Sequence, residues 1–259
     1  MKKLDLKDRT VLITGASSGI GAASARVFYE QGCKLVLVAR RMERLEALRA
    51  ELGDSGARIH CAEVDIRHVD QLKAFFAAIP DPFSNIDLLL NNAGLAAGVS
   101  KLHEGDLDDW ERMIDTNIKG LLYISRLVVP GMVERNRGHV INIGSVAGRE
   151  PYPGGSVYCG TKAAVRFISR SLKMDLQGTS VRVSNIEPGA VETEFSNVRY
   201  HGDQAKADKV YQGIDPLTAE DIADTILYCA SAPEHVNVAE LLVLANAQAS
   251  AYHVHRNTD

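Results

Sequence analysis

The chain has 259 residues, 46% of them hydrophobic and 24% charged, the composition of a folded, soluble protein, which excludes disorder as its main state. Lys and Arg total 29 against 33 Asp and Glu, a formal charge of -4, so no basic surplus draws the protein onto nucleic acid or anionic lipid. No stretch reaches the ~20 apolar residues of a membrane span, and the opening MKKLDLKDRT has no apolar signal core, so a cytoplasmic location is expected.

Taken in chain order, short apolar runs at Thr10–Thr14, Lys34–Ala39, Arg58–Glu63, Asp87–Asn91, His139–Gly144, Val181–Glu187 and Leu241–Ala245 predict seven strands. Segments of helical period separate them, among them Arg41–Leu52, with Met42, Leu45 and Leu48 on one side, and the long Asp108–Arg135. Nearly all-apolar strands that alternate with helices predict a parallel sheet covered on both faces. The expected fold is therefore α/β, a doubly wound, three-layer Rossmann fold with a seven-stranded parallel sheet. The alternation runs from Thr10 to Ala245 without linker or repeat, so residues 1–259 are expected to form a single domain. The stretch 192–215, with Gly202, Gly213 and no strand, follows a strand end and is expected to act as a lid; residues 246–259 form a tail. Cys33, Cys61, Cys159 and Cys229 stand singly, so each reads as a small apolar side chain, and neither disulfides nor a metal is expected.

After the first strand, Thr14-Gly15-Ala16-Ser17-Ser18-Gly19-Ile20-Gly21 opens a helix. Gly15 suits a tight turn, Gly19 lets backbone approach a pyrophosphate, and Gly21 permits close helix packing, while the helix N-terminus offers amides and positive dipole. In this strand, turn and helix context the glycines predict a dinucleotide. An NAD enzyme places an acid about 20 residues further on, at the end of the second strand; here stand Ala39-Arg40-Arg41. Two guanidiniums grip a 2′-phosphate through charge-assisted bonds, so NADP(H) is the expected cofactor.

Tyr158 and Lys162 are four apart in a run of helical spacing and share one face. A free tyrosine, with a pKa of ~10, is a poor proton shuttle, and a nearby ammonium favours its phenolate. Ser145 ends the fifth strand, where its hydroxyl can hold a substrate oxygen beside that phenol. Asn117 lies within the long helical stretch although Asn is a mediocre helix former, so something other than propensity selects it.

In this order, downstream of the glycine turn, these residues resemble the short-chain dehydrogenase/reductase family over nearly the whole chain. Further motifs are Asn91-Asn92-Ala93-Gly94 and Pro188-Gly189 leading to Thr193. The resemblance implies an oxidoreductase acting on CH-OH or C=O groups. Tyr158 would be the general acid/base, Ser145 would polarise the carbonyl, and Lys162 would tune Tyr158 and bind the nicotinamide ribose. Asn117 would hold a relay water, Asp65 bond the adenine, Asn91 line the cofactor trough, and Thr193 meet the nicotinamide amide. Gly15, Ser17, Ser18, Gly19, Ile20 and Gly21 would contact the cofactor, as would Arg40, Arg41, Ala93, Gly94, Pro188, Gly189 and Val191. Within the family, Met113 to Asn117, Pro130 to Asn136, Ile186 to Gly189, Thr193 to Arg199 and the tail from Ala247 resemble the NADP-dependent 3-hydroxy acid (serine or allo-threonine) dehydrogenases and malonic semialdehyde reductases. A homo-oligomer, dimer or tetramer, built on the helices of Asp108–Arg135 and Ser156–Gln177, is implied by resemblance alone.

Arg149, four residues past Ser145, lies in the loop expected to edge the substrate site. Arginine there is expected to clamp a carboxylate or sulfonate, which would make sulfoacetaldehyde, reduced to isethionate, a candidate substrate beside malonic semialdehyde, reduced to 3-hydroxypropionate. His253 and His255 lack a third partner at ligand spacing, so the tail is expected to reach a neighbouring subunit rather than a metal. The alternative on the same fold is a non-catalytic NADP-binding sensor or scaffold, which has no use for a tuned phenol.

Overall fold

The computed structural model describes residues 3–257. The elements alternate as β1 (Thr10–Thr14), α1 (Gly19–Glu30), β2 (Lys34–Ala39), α2 (Met42–Glu51), β3 (Ile59–Glu63), α3 (Val69–Ala78), α4 (Asp81–Ser84) and β4 (Ile86–Asn91). After these come α5 (Leu107–Ile114), α6 (Leu121–Glu134), β5 (Gly138–Ile143), α7 (Ser156–Asp175), β6 (Val181–Pro188), α8 (Phe195–Arg199), α9 (Gln204–Tyr211), α10 (Ala219–Ala230) and β7 (Glu240–Val243). One parallel sheet of seven strands runs in the order β3-β2-β1-β4-β5-β6-β7. The order reverses between β1 and β4, the switch point at which open α/β sheets leave a crevice beyond their carboxyl ends.

Side chains of a strand alternate between faces, and both faces here are covered. Val11, Ile13, Leu35, Leu37, Leu88 and Leu90 join Phe28 of α1, Leu45 of α2 and Ile226 of α10 in one apolar layer. Leu12, Val36, Val38 and Leu89 point the other way, onto Leu72 of α3 and Ile124, Val128 and Met132 of α6. The three layers follow from that period of two. Cys33, Cys159 and Cys229 are buried and Cys61 half-buried. Burial pushes the thiols of Cys33, Cys61 and Cys229 up to about 12, 11 and 11, which keeps them unreactive.

One stretch differs from expectation. Asp108–Arg135 is not one regular helix, because a π-helical turn at Asp115–Gly120 separates α5 from α6. Such a turn carries one extra residue and re-aims what it carries, and it carries Asn117. The tail folds back on its own chain: Gln248 bridges Val254 antiparallel, and Asn257 N–H donates to the Gly213 carbonyl at 2.8 Å. Arg256 donates to the carbonyls of Gln212 and Val210 at the end of α9. The final two residues of the expected tail, like the first two of the chain, lie outside the described residues. No helix among the described residues is long and apolar enough to cross a membrane.

Candidate active site

A cleft of about 640 Å³ runs along the carboxyl ends of the strands. Its floor is the turn after β1, where Gly15 and Gly19 have φ of +66° and +51°, values that L side chains rarely adopt. A Cβ on Gly21 would overlap the Gly15 carbonyl and come within 2.6 Å of Asn92 Nδ2, so α1 packs against the turn only because position 21 is bare. Thr14 and Asn92 tie the floor to β4. Thr14 Oγ1 accepts from the amides of Asn92 and Ala93 at 3.1 and 3.0 Å, and Asn92 Nδ2 donates to the Thr14 carbonyl at 2.9 Å.

Ser17, Ser18, Ile20, Arg40, Arg41, Asp65, Ala93 and Gly94 line this end of the cleft, and Pro188, Gly189, Val191 and Thr193 line it beyond β6. Arg41 Nη2 donates to Ser17 Oγ and Ser18 Oγ at 3.2 and 3.0 Å, while its Nη1 and Arg44 Nη1 reach the Glu194 carboxylate at 3.1 and 2.6 Å. Hydroxyls and guanidiniums so converged suit a doubly charged phosphate. Asn91 does not line the trough as expected. Its Nδ2 turns into the layer behind β4 and donates to Ser125 Oγ and Asn142 Oδ1 at 3.0 and 2.8 Å, which leaves the trough to its neighbour Asn92.

Tyr158 and Lys162 are buried on one face of α7, and Ser145 stands where β5 ends. Burial raises the Tyr158 phenol above its ordinary range, while a hydrogen bond with Ser145 and the nearby Arg199 cation pull it back. The sequence pointed to Lys162 for that tuning. Its Nζ donates to the Ile143 carbonyl at 2.8 Å, and burial pushes its own pKa down to about 8. Asn117 is also buried, and its amide brackets the Leu95 backbone. Oδ1 accepts from Leu95 N at 2.9 Å, and Nδ2 donates to Leu95 O and Thr161 Oγ1 at 2.8 and 3.0 Å. Thr161 in turn donates to the Tyr158 carbonyl at 2.8 Å, so the π-turn fixes both the loop after β4 and the start of α7. A Cβ on Gly94 would sit 3.2 Å from Asn117 Oδ1 and 3.4 Å from Lys162 Nζ, which draws these three residues together.

Arg149 is not among the residues lining the cleft, and the expectation that it clamps the substrate is corrected. Its Nε bonds the fully buried Glu187 and its Nη2 reaches Glu240 at 2.8 Å, so the carboxylates of β6 and β7 hold the guanidinium beneath the turn. The arginine beside the phenol is Arg199, the last residue of α8. Its Cζ lies 5.3 Å from the ring centroids of both Tyr152 and Tyr158, its Nη2 bonds the Tyr152 hydroxyl, and its buried Nε has no hydrogen-bond partner among the described residues. Tyr152, Phe195, Tyr211, Gln248 and Tyr252 complete this end of the cleft. Sequence reasoning passed over Arg199 because it lies 41 positions beyond Tyr158. The available signal was a cation within the expected lid.

A family model described as short chain dehydrogenase matches residues 9–204. An NADP-dependent 3-hydroxy acid dehydrogenase of Escherichia coli O6:H1 is 50% identical over 248 residues, 95% of this chain and 99% of that protein. A serine 3-dehydrogenase of Agrobacterium fabrum is 47% identical over 250 residues, 96% and 99% of the two chains. Among solved structures, the closed form of a serine dehydrogenase complexed with NADP+ superposes with a TM-score of 0.91 at 49% identity, covering 96% of this chain and 100% of that one. The glycine turn, the buried Ser145, Tyr158 and Lys162, and these matches over nearly its full length agree: the chain belongs to the short-chain dehydrogenase family.

Proposed function

We propose that this chain is an NADP(H)-dependent oxidoreductase that interconverts a small acidic aldehyde and its 3-hydroxy acid. The observation that carries the reading is Arg199, a half-buried cation beside Tyr158 whose buried Nε has no hydrogen-bond partner among the described residues. A desolvated guanidinium with a free donor suits a carboxylate or sulfonate on the substrate, and malonic semialdehyde and sulfoacetaldehyde are aldehydes of that kind. The names of the relatives, 3-hydroxy acid dehydrogenase and serine 3-dehydrogenase, support the carboxylate class.

The cofactor fits the residues present. The cradle at Gly15, Gly19 and Gly21 has no room for side chains, and Arg41 bracketed by Ser17 and Ser18 is a donor set for a 2′-phosphate. When bound, NADPH supplies the hydride. Tyr158 gives its proton to the substrate oxygen, and its raised pKa keeps that proton in place at neutral pH. Ser145, beside the phenol in the same cleft, is placed to hold the same oxygen. Lys162, anchored on the Ile143 carbonyl, supplies positive charge beneath the cofactor trough. Asn117 acts as a positioning residue through Leu95 and Thr161. One domain thus carries both sites, with 192–215 as a lid and the tail, through Ala251 and Tyr252, closing the edge of the cleft.

A cytoplasmic enzyme that assembles as a homo-oligomer completes the reading. The support for the oligomer is exposed apolar surface, at Leu122 and Val133 of α6 and at Phe167 and Met174 of α7, the last two 64% and 71% exposed.

Arg199→Ala tests the assignment in steady-state kinetics with NADPH. Loss of one charge-assisted contact, ~1.5–3 kcal/mol, raises KM for malonic semialdehyde by about 10- to 100-fold while leaving most of kcat. An unchanged KM would remove Arg199 as the anion receiver.

A further inference from the structure

Arg199 needs a fixed backbone to aim its guanidinium, and two contacts flank it. Its own carbonyl accepts from Gly98 N at 2.9 Å, in the loop after β4 whose start, Leu95, is held by Asn117. Two residues on, His201 Nε2 lies 3.0 Å from Asp109 Oδ2 in the first turn of α5. The Asp109 side chain is only 8% exposed, and its other oxygen lies 3.3 Å from Arg112 Nη1. Asp106 caps α5 by accepting from the amides of Asp108 and Asp109, so the carboxylate rests on a fixed turn. Gly98 also serves this contact, because a Cβ there would come within 2.8 Å of Asp109 Oδ2.

The end of α8 shows that His201 is held in place. Gly202 N donates to the Asn197 carbonyl at 2.9 Å and His201 N to the Val198 carbonyl at 3.3 Å, the double bond of a Schellman cap. The residue after such a helix adopts the left-handed conformation and is most often glycine, which does so without strain. Here it is His201, at φ +53°. A bulky imidazole occupies the position that glycine fills most easily, and the ring is spent on a buried carboxylate across the cleft wall.

We propose that Asp109 and His201 form a latch that sets the position of Arg199, making them positioning residues for selection of an acidic substrate. The inference rests on the reading that Arg199 receives the anion. With the latch made, α8 is pinned on both sides of Arg199. Without it, Arg199 keeps its carbonyl contact with Gly98 and its bond to the Tyr152 hydroxyl, but the end of α8 beyond it is released and the guanidinium loses part of its fixed aim at the space beside Tyr158.

The test compares wild type, Asp109→Asn, His201→Asn, the double variant and Arg199→Ala, with NADPH and either malonic semialdehyde or the uncharged propanal. Asparagine tolerates the left-handed backbone, so His201→Asn removes the ring while sparing the turn. Each latch variant is expected to raise KM for malonic semialdehyde about 5- to 20-fold and to lower the acidic-to-neutral ratio of kcat/KM by a similar factor. The double variant is expected to be no worse than the singles, because both break one contact. Equal losses on the two aldehydes, additive effects, or an unchanged KM overturn the latch. Should Asp109→Asn fail to fold, His201→Asn, altered at a half-exposed ring, carries the same test. If Arg199→Ala leaves the acidic KM unchanged, the anion reading itself fails; if it raises that KM while the latch variants do not, only the latch fails.

Discussion

The chemistry of Tyr158 depends on opposing effects that act on one phenol. Burial holds the proton on, and Ser145 and Arg199 ease it off, which suits the donor role proposed for it at neutral pH. Lys162 is expected to set the alkaline limit. Its pKa is pushed down to about 8, so the ammonium is present below that pH and lost as pH rises through it, while Tyr158 still keeps its proton. We expect kcat/KM for carbonyl reduction to fall above pH about 8, and a flat profile well beyond that value would show that the Lys162 charge is not needed. At this scale the sequence was legible wherever local spacing places a side chain. Tyr158 and Lys162 meet because they lie four apart on a helix, and Ser145 follows a strand. Arg199 and Arg149 changed roles because their partners come from distant segments: Tyr152 for one, Glu187 and Glu240 for the other. No periodicity encodes such meetings.

Among the elements, the strands were readable to within a residue or two, since the central ones are covered on both faces and rich in apolar side chains. The π-turn at Asp115–Gly120 was not, because its cause is the fit of the Asn117 amide around the Leu95 backbone, a contact 22 residues distant. Asparagine in a helical stretch was the visible trace. The turn after β5 is anchored in a similar way. Arg149 ties Val146–Gly148, and with it Ser145, to Glu187 of β6 and Glu240 of β7, and Arg166 lies 3.5 Å from Glu187 as a second cation. Removing one partner of a buried pair typically costs ~3–5 kcal/mol, and the remaining Arg166 places Arg149→Met at the lower end. Melting should therefore fall by roughly 6–12 °C at ~2–4 °C per kcal/mol, with KM for an acidic aldehyde little changed. A stable variant with a much raised acidic KM would restore Arg149 to the substrate site.

Across the whole molecule, a net charge of -4 has to coexist with an anionic cofactor and the acidic substrate proposed. The structure does this by local placement, with Arg40 and Arg41 at the glycine-turn end of the cleft and Arg199 at the phenol end. The sheet places these groups, since the carboxyl ends of its strands converge on one crevice and the loops beyond β4, β5 and β6 wall it. The most direct measurement is loss of reduced-nicotinamide absorbance when purified protein is offered NADPH or NADH with malonic semialdehyde, sulfoacetaldehyde, propanal or a bulky ketone. Rapid oxidation of NADPH, well above that of NADH, with one or both acidic aldehydes and weak turnover of propanal is the expected result. Good turnover of the bulky ketone with no oxidation by either acidic aldehyde would contradict the substrate assignment while leaving the family intact.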